Sequence, residues 1–179
     1  MPAIFFDLDG TLTDPAPGIV GSLQHALREL GENVPPSREL LRFIGPPLRA
    51  IFSELIENAD DADIENAVGH YRFHYDVNGL FENRLIPGVT ELLRGVKNAG
   101  IPAYAVTSKS QSTAIRIVEH FSLTPFFLRV YGSQPDGTLS GKPELIASVL
   151  KRESLDPSEV LMIGDRHHDI DGAKICGVD

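Results

Sequence analysis

Two carboxylates stand two positions apart in Asp7-Leu8-Asp9-Gly10-Thr11, directly after the apolar run Ala3, Ile4, Phe5, Phe6. Such a pair can divide labour. One carboxylate attacks a phosphorus atom to form an acyl phosphate while the other moves a proton to the leaving oxygen. Gly10 lets backbone approach a ligand closely, which places it and the neighbouring Thr11 among the candidate substrate-binding residues. A calcium loop of the EF-hand kind would need further oxygen ligands in a helix-flanked loop ending in glutamate, and none of that is present. A solvated acidic turn is the plainer alternative.

Asp165-Arg166-His167-His168-Asp169 supplies two more carboxylates. Four such anions facing one crevice would repel severely without a cation. Magnesium answers this: it is a hard ion that keeps several waters and binds through one or two carboxylates plus substrate phosphate. Bound there, it would neutralise the phosphoryl charge and hold the group in line for attack. His167 and His168 are adjacent on a loop and lack zinc-ligand spacing, so they are expected to be exposed or hydrogen-bonded. Thr107 and Ser108 are either simple strand-end polar residues or hydrogen-bond donors to phosphate oxygens. Lys142, just before Pro143 and a helical stretch Glu144 to Lys151, sits at the unfavourable end of the helix dipole. It is either a surface lysine or a cation that reaches the phosphate and the carboxylates and stabilises transition-state charge.

These side chains need a scaffold. The run ending at Asp7 reads as a buried strand. Ile101 to Val106, opened by Gly100 and running into Thr107 and Ser108, repeats its grammar, as does Val160 to Ile163 running into Gly164 and Asp165. Each is followed by a helical pattern, which makes βα units of a parallel sheet. Phe126 to Tyr131, between Pro125 and Gly132, is expected to be a fourth strand. In open parallel sheets the ligand crevice lies beyond the C-terminal strand ends, so Asp7, Thr107 and Asp165 should converge there.

Between Asp14 and about Leu85 the apolar residues instead recur at helical spacing, in Ile19 to Leu30, Leu40 to Ile44, Leu48 to Ile56 and Ile64 to Tyr75. That predicts an insert of about four helices and no strand. Pro87 and Gly88 reopen the first pattern with a helix over Val89 to Asn98. Asp169 to Cys176 reads as a helix stopped by Gly177, with Val178 beginning another strand. The chain then stops, so the expectation is a truncated C-terminal end or an uncovered sheet edge prone to association.

With 179 residues, 42% of them hydrophobic, the chain has material for one real core plus a small inserted domain. A net charge of -9 argues against nucleic acid and anionic membrane as partners. There is no apolar run of about 18 residues and no basic leader, so a cytoplasmic address is expected. The single cysteine, Cys176, is read as core filler.

Taken in order, DLDGTLTD at Asp7 to Asp14, VTS at Val106 to Ser108, GKP at Gly141 to Pro143 and GDRHHDI at Gly164 to Ile170 closely resemble the haloacid dehalogenase-like phosphatases. The resemblance implies an α/β, Rossmann-like core over residues 1–14 and 86–179, with an α-helical cap inserted over 15–85. It implies Mg²⁺, an aspartyl-phosphate on Asp7, acid-base work by Asp9, and Thr107 and Lys142 on the phosphate. Asp7, Asp9 and Asp165 would hold the metal, and Asp169 would steady the lysine or a metal water. The insert resembles the cap of the subgroup that includes phosphoglycolate phosphatases. Such a cap closes over small substrates and excludes water. FIGPPL at Phe43 to Leu48, followed by Arg49, and HYRFHY at His70 to Tyr75 are similar to segments of that subgroup. They single out Arg49 and Arg72 as cap residues reaching the substrate, against the alternative that both face solvent.

The expected activity is hydrolysis of a small phosphorylated metabolite resembling phosphoglycolate, by a monomer or homodimer. A 5'-nucleotidase or other sugar-phosphate phosphatase, and a phosphomutase, share every core residue named. Dehalogenation fits less well, since the dehalogenases lack the second aspartate. A catalytically idle binding protein would have freed Asp7, Asp9, Lys142 or Asp165 to change, yet all are intact.

Overall fold

The structure, a computed structural model, describes residues 2–179. It divides into two compact units, one of residues 1–14 and 85–179 and one of Pro15–Arg84. The first is built on a parallel sheet of β1 (Ala3–Phe6), β4 (Ala103–Ser110), β5 (Arg129–Ser133) and β6 (Val160–Ile163), in the order β5-β4-β1-β6. β1 is central because its side chains have nowhere wet to go: Ala3, Phe5 and Phe6 are buried. Strands covered on both faces carry such unbroken apolar runs. Phe5 pairs with Tyr104 on one side and Met162 on the other. Strand order reverses at β1, with β4 and β5 to one side and β6 to the other, which is where an open sheet forms its ligand crevice.

Helices α5 (Val89–Asn98), α6 (Gln111–His120), α7 (Lys142–Glu153) and α8 (His167–Cys176) complete this unit. Leu145, Ile146 and Val149 of α7 and Ala173 of α8 share a core with Phe5, Tyr104, Val106 and Tyr131. At its rim Glu153 accepts from both the Tyr104 and Tyr131 hydroxyls. Burial, then that hydrogen bond, pushes the Tyr131 hydroxyl up to about 12.

The second unit packs α1 (Ala16–Glu29), α2 (Ser37–Leu40), α3 (Leu48–Leu55) and α4 (Asp61–His74) around its own core of Leu23, Leu27, Phe43, Phe52, Val68 and Tyr71. Asp60 starts α4 by accepting from the amides of Ala62 and Asp63, while Asp63 reaches back to the Asp60 amide. This reciprocal cap satisfies donors that a helix start leaves open. On one face His25 of α1 and His74 of α4 stack with ring centroids 4.4 Å apart, and Ser22 Oγ lies 3.1 Å from His74 Nδ1.

Several sequence expectations shift. The insert was expected to hold no strand, yet two-residue strands β2 (Thr13–Asp14) and β3 (Arg84–Leu85) lie where the chain leaves and re-enters the sheet unit. The fourth strand is not Phe126 to Tyr131 but Arg129–Ser133, because Thr124–Phe126 closes a 3-10 turn around Pro125 first. β4 runs on to Ser110 through an irregularity between Val106 and Ser110, so Thr107 and Ser108 lie inside a bulged strand end rather than beyond it. Helix α7 opens at Lys142 itself, and α8 opens at His167, two residues before the expected Asp169. Near Val178, Asp179 donates to the Val160 carbonyl and accepts from Met162, a parallel ladder beside β6.

Candidate active site

Parallel strands end on the same side, and β1, β4 and β6 deliver Asp7, Thr107 and Asp165 to one edge of the sheet. Asp7 follows β1 directly, its amide held by the Ile163 carbonyl at 2.9 Å. Its carboxylate meets Lys142, whose Nζ lies 2.8 Å from Asp7 Oδ1, 3.0 Å from the Val106 carbonyl and 2.6 Å from Asp169 Oδ1. The Lys142 side chain is only 4% exposed. A lysine so deep is stable only when paired and hydrogen-bonded. Of the two sequence alternatives for Lys142, the buried cation is the one found.

Burial pushes the Asp7 carboxyl above its ordinary range, and the Lys142 ammonium opposes that shift without cancelling it. Asp7, Asp165 and Asp169 can each turn one carboxylate oxygen to within 4.8 Å of the others, and among the described residues no other such acidic, histidine or cysteine group forms. Asp9 Oδ1 is buried with no hydrogen-bond partner. Oxygen ligands, excess negative charge and an orphaned buried oxygen together fit a hard divalent cation. The carboxylates that cluster are not quite the expected Asp7, Asp9 and Asp165: Asp169 stands in the cluster, while Asp9 Oδ2 pairs with Lys109 Nζ at 2.8 Å.

The turn after Asp7 is tight, with the Leu8 carbonyl accepting from Leu12 at 2.9 Å and Thr13 at 3.0 Å. Gly10 sits at φ +87°, and a Cβ there would collide with the Asp165 carboxylate, so only glycine serves. Thr11 Oγ1 donates to Asp165 at 3.2 Å. Asp169, buried in the first turn of α8, also accepts the Arg166 amide at 3.1 Å. Thr107 is buried and Ser108 exposed, the latter bordering a cavity of about 450 Å³ with Ser140, Lys142, His168 and Asp171. His167 and His168 are exposed, with ring centroids 3.7 Å apart, and stand outside the carboxylate cluster.

Arg49 and Arg72 belong to the helical unit. Arg49 is engaged there by Asp61 at 3.0 Å and by Glu65, both on α4, and Arg72 is exposed. The residue sequence reasoning missed is Lys109. Its signal was available: a lysine two places past Thr107, at a strand end that must face carboxylates.

The chain matches the haloacid dehalogenase-like hydrolase family over residues 4–179 and belongs to it. It is 46% identical over 177 residues to a 5'-nucleotidase of Pseudomonas aeruginosa, covering 99% of this chain and 80% of that protein. It is 37% identical to the tyrosine-protein kinase PtkA of Mycobacterium tuberculosis, covering 98% of this chain and 60% of that one. A phosphoglycolate phosphatase of Mesorhizobium japonicum is 28% identical, with 99% and 80% covered. Among solved structures, a putative phosphatase from Clostridium difficile superposes with a TM-score of 0.93 at 37% identity, covering 99% of this chain and 82% of that one. The α/β sheet unit, the family and the relatives make this chain a phosphatase-type hydrolase of phosphate esters. Among the described residues no helix is long and apolar enough to cross a membrane.

Proposed function

We propose that the chain hydrolyses a small phosphomonoester with Mg²⁺, through an aspartyl-phosphate on Asp7. The observation that carries this reading is Lys142, buried between Asp7 and Asp169 at the strand edge that also presents Asp165. Asp7 Oδ attacks phosphorus, and the bond to the ester oxygen breaks as Asp9 protonates that oxygen. Water then attacks the phosphoaspartate, giving its proton to Asp9, and the bond to Asp7 breaks to release phosphate. Lys142 and the Thr107 and Ser108 hydroxyls hold the phosphoryl oxygens where negative charge grows. Gly10 and Thr11 shape the near wall of that site. Asp7 and Asp165 would hold Mg²⁺, with Asp169 steadying the lysine; the ion supplies charge neutralisation at the phosphoryl group.

On substrate, the 46% identity to a 5'-nucleotidase against 28% to a phosphoglycolate phosphatase favours a nucleoside 5'-monophosphate ahead of phosphoglycolate. The helical unit serves as a cap in this reading, Arg49 and Arg72 being its substrate candidates. A cytoplasmic setting, as a monomer or homodimer, belongs to the same proposal. Phosphate release from nucleotides, phosphoglycolate, sugar phosphates and pyrophosphate, with Mg²⁺ or EDTA, tests it. Turnover that needs Mg²⁺ and vanishes in Asp7→Asn is the expected result. Transfer of the phosphoryl group to a second sugar phosphate, with none released to water, would make it a mutase instead.

A further inference from the structure

Strand β4 does not end cleanly. Its pairing with β5 is regular to Val106–Tyr131, slips, and resumes at Ser110–Ser133. A bulge of this kind turns a side chain away from the direction the pleat would give it. Within the slipped segment the Lys109 amide donates to Thr107 Oγ1 at 3.3 Å. Lys109 Nζ reaches Asp9 Oδ2 at 2.8 Å, with side-chain exposures of 14% and 29%. The contact is therefore half-sheltered and closes across two strand ends rather than across open surface.

What allows the bulge is on the neighbouring strand. A Cβ at Gly132 of β5 would lie 2.5 Å from the Lys109 carbonyl and 2.7 Å from the Gln111 backbone. Any larger residue there must push the bulged segment away. Lys109 takes one Asp9 oxygen, and the other, Oδ1, is buried without a hydrogen-bond partner.

We infer that Lys109 is a positioning residue for proton transfer: by holding Asp9 through Oδ2 it fixes the orientation of the carboxyl that serves the leaving group, and Gly132 sets the bulge that puts Lys109 there. The inference rests on the phosphatase reading above, and the sequence motifs assign Lys109 no part in it. A carboxyl held within a narrow angular range transfers its proton efficiently, whereas one free to rotate spends most of its time misaligned.

The consequence depends on the leaving group. An alkyl phosphate such as a nucleoside 5'-monophosphate leaves as a poor anion and needs the proton. A dinitrophenyl phosphate leaves as a stable anion and does not. The experiment measures kcat and KM on both esters, with Mg²⁺, for wild type, Lys109→Met, Lys109→Arg and Gly132→Ala, with melting curves to confirm folding. Lys109→Met should lower kcat on the alkyl ester about 100-fold while changing the dinitrophenyl ester only a few-fold, with KM little moved. Lys109→Arg should recover part of the loss, and Gly132→Ala should show the same ester selectivity in weaker form. If Lys109→Met fails to fold, Gly132→Ala carries the same readout. Equal losses on both esters, or a loss confined to KM, would overturn the role of Lys109 while leaving the phosphatase reading standing. A wild type inert toward both esters would sink the phosphatase reading and this inference with it.

Discussion

The two units treat charge in opposite ways. In the sheet unit three charged side chains, Asp7, Lys142 and Asp169, are buried and answer one another across the sequence: Lys142 and Asp7 are 135 residues apart and meet at 2.8 Å. In the helical unit the cations with charged partners are on the surface and pair close to home, as Arg42 with Glu54 and Arg49 with Asp61. Buried charge is costly to maintain and surface pairs contribute little. A fold that keeps the first kind has a use for it, whereas the second kind can change at little cost to stability.

That contrast can be broken experimentally. Asp7→Asn should abolish turnover, by a factor on the order of 10⁴ or more in kcat, while the protein stays folded. Lys142→Met should cost activity by about 100- to 1,000-fold. It should also lower stability by about 3–5 kcal/mol in denaturant titrations without metal, because Asp7 and Asp169 are left buried and facing each other. Mg²⁺ should restore part of that stability, since an ion that binds only the folded state raises its melting temperature. If Lys142→Met melts like wild type, the buried Asp7 and Asp169 carboxylates do not depend on Lys142 for their stability.

The helical unit should respond far less. Arg49→Ala breaks two exposed ion pairs and should cost less than about 1 kcal/mol in urea unfolding. A rise in KM for one substrate and not for others would turn Arg49 from a surface partner into a specificity residue and sharpen the division between the units. The smallest effect concerns pH. Burial, and then the stacked His25, hold the His74 imidazole below its ordinary range, with Arg28 acting the same way and Glu82 against it. The unfolded chain therefore binds the extra proton first. The contribution of this site is complete above pH 6.5 and falls as pH drops from there toward the folded value. Urea midpoints at pH 7.5 and 5.5 should differ in that direction, and His74→Gln should reduce the difference.

Much of this was legible before any coordinates. β6 and α5 stand where the sequence puts them, since short apolar runs and glycine stops are local signals. Asp7 and Asp165 were readable as strand-end chemistry for the same reason. The start of β5 was not, because Phe126 and Phe127 are apolar whether they pair or turn, and only tertiary packing chooses. Lys142 was undecidable from one chain position: its burial depends on Asp7 and Asp169 arriving from distant segments. Lys109 was readable as a lysine two places past Thr107, but its contact with Asp9 depends on a bulge, a misfit between two strands that neither announces alone.

The central position of β1 has a consequence for the order in which the molecule comes into being. Pro15–Arg84 is one continuous stretch with its own core, so it has all its partners soon after synthesis. β1 is made before the helical unit, yet it pairs with β4 and β6, which both follow that unit. Closures over such long loops are slow steps in folding. Asp7 and Asp9 are therefore made well before Lys109, Lys142 and Asp165, and the site stays incomplete until the last of these arrives. Competence at the site should appear in a single late event during refolding, after helical signal has already developed.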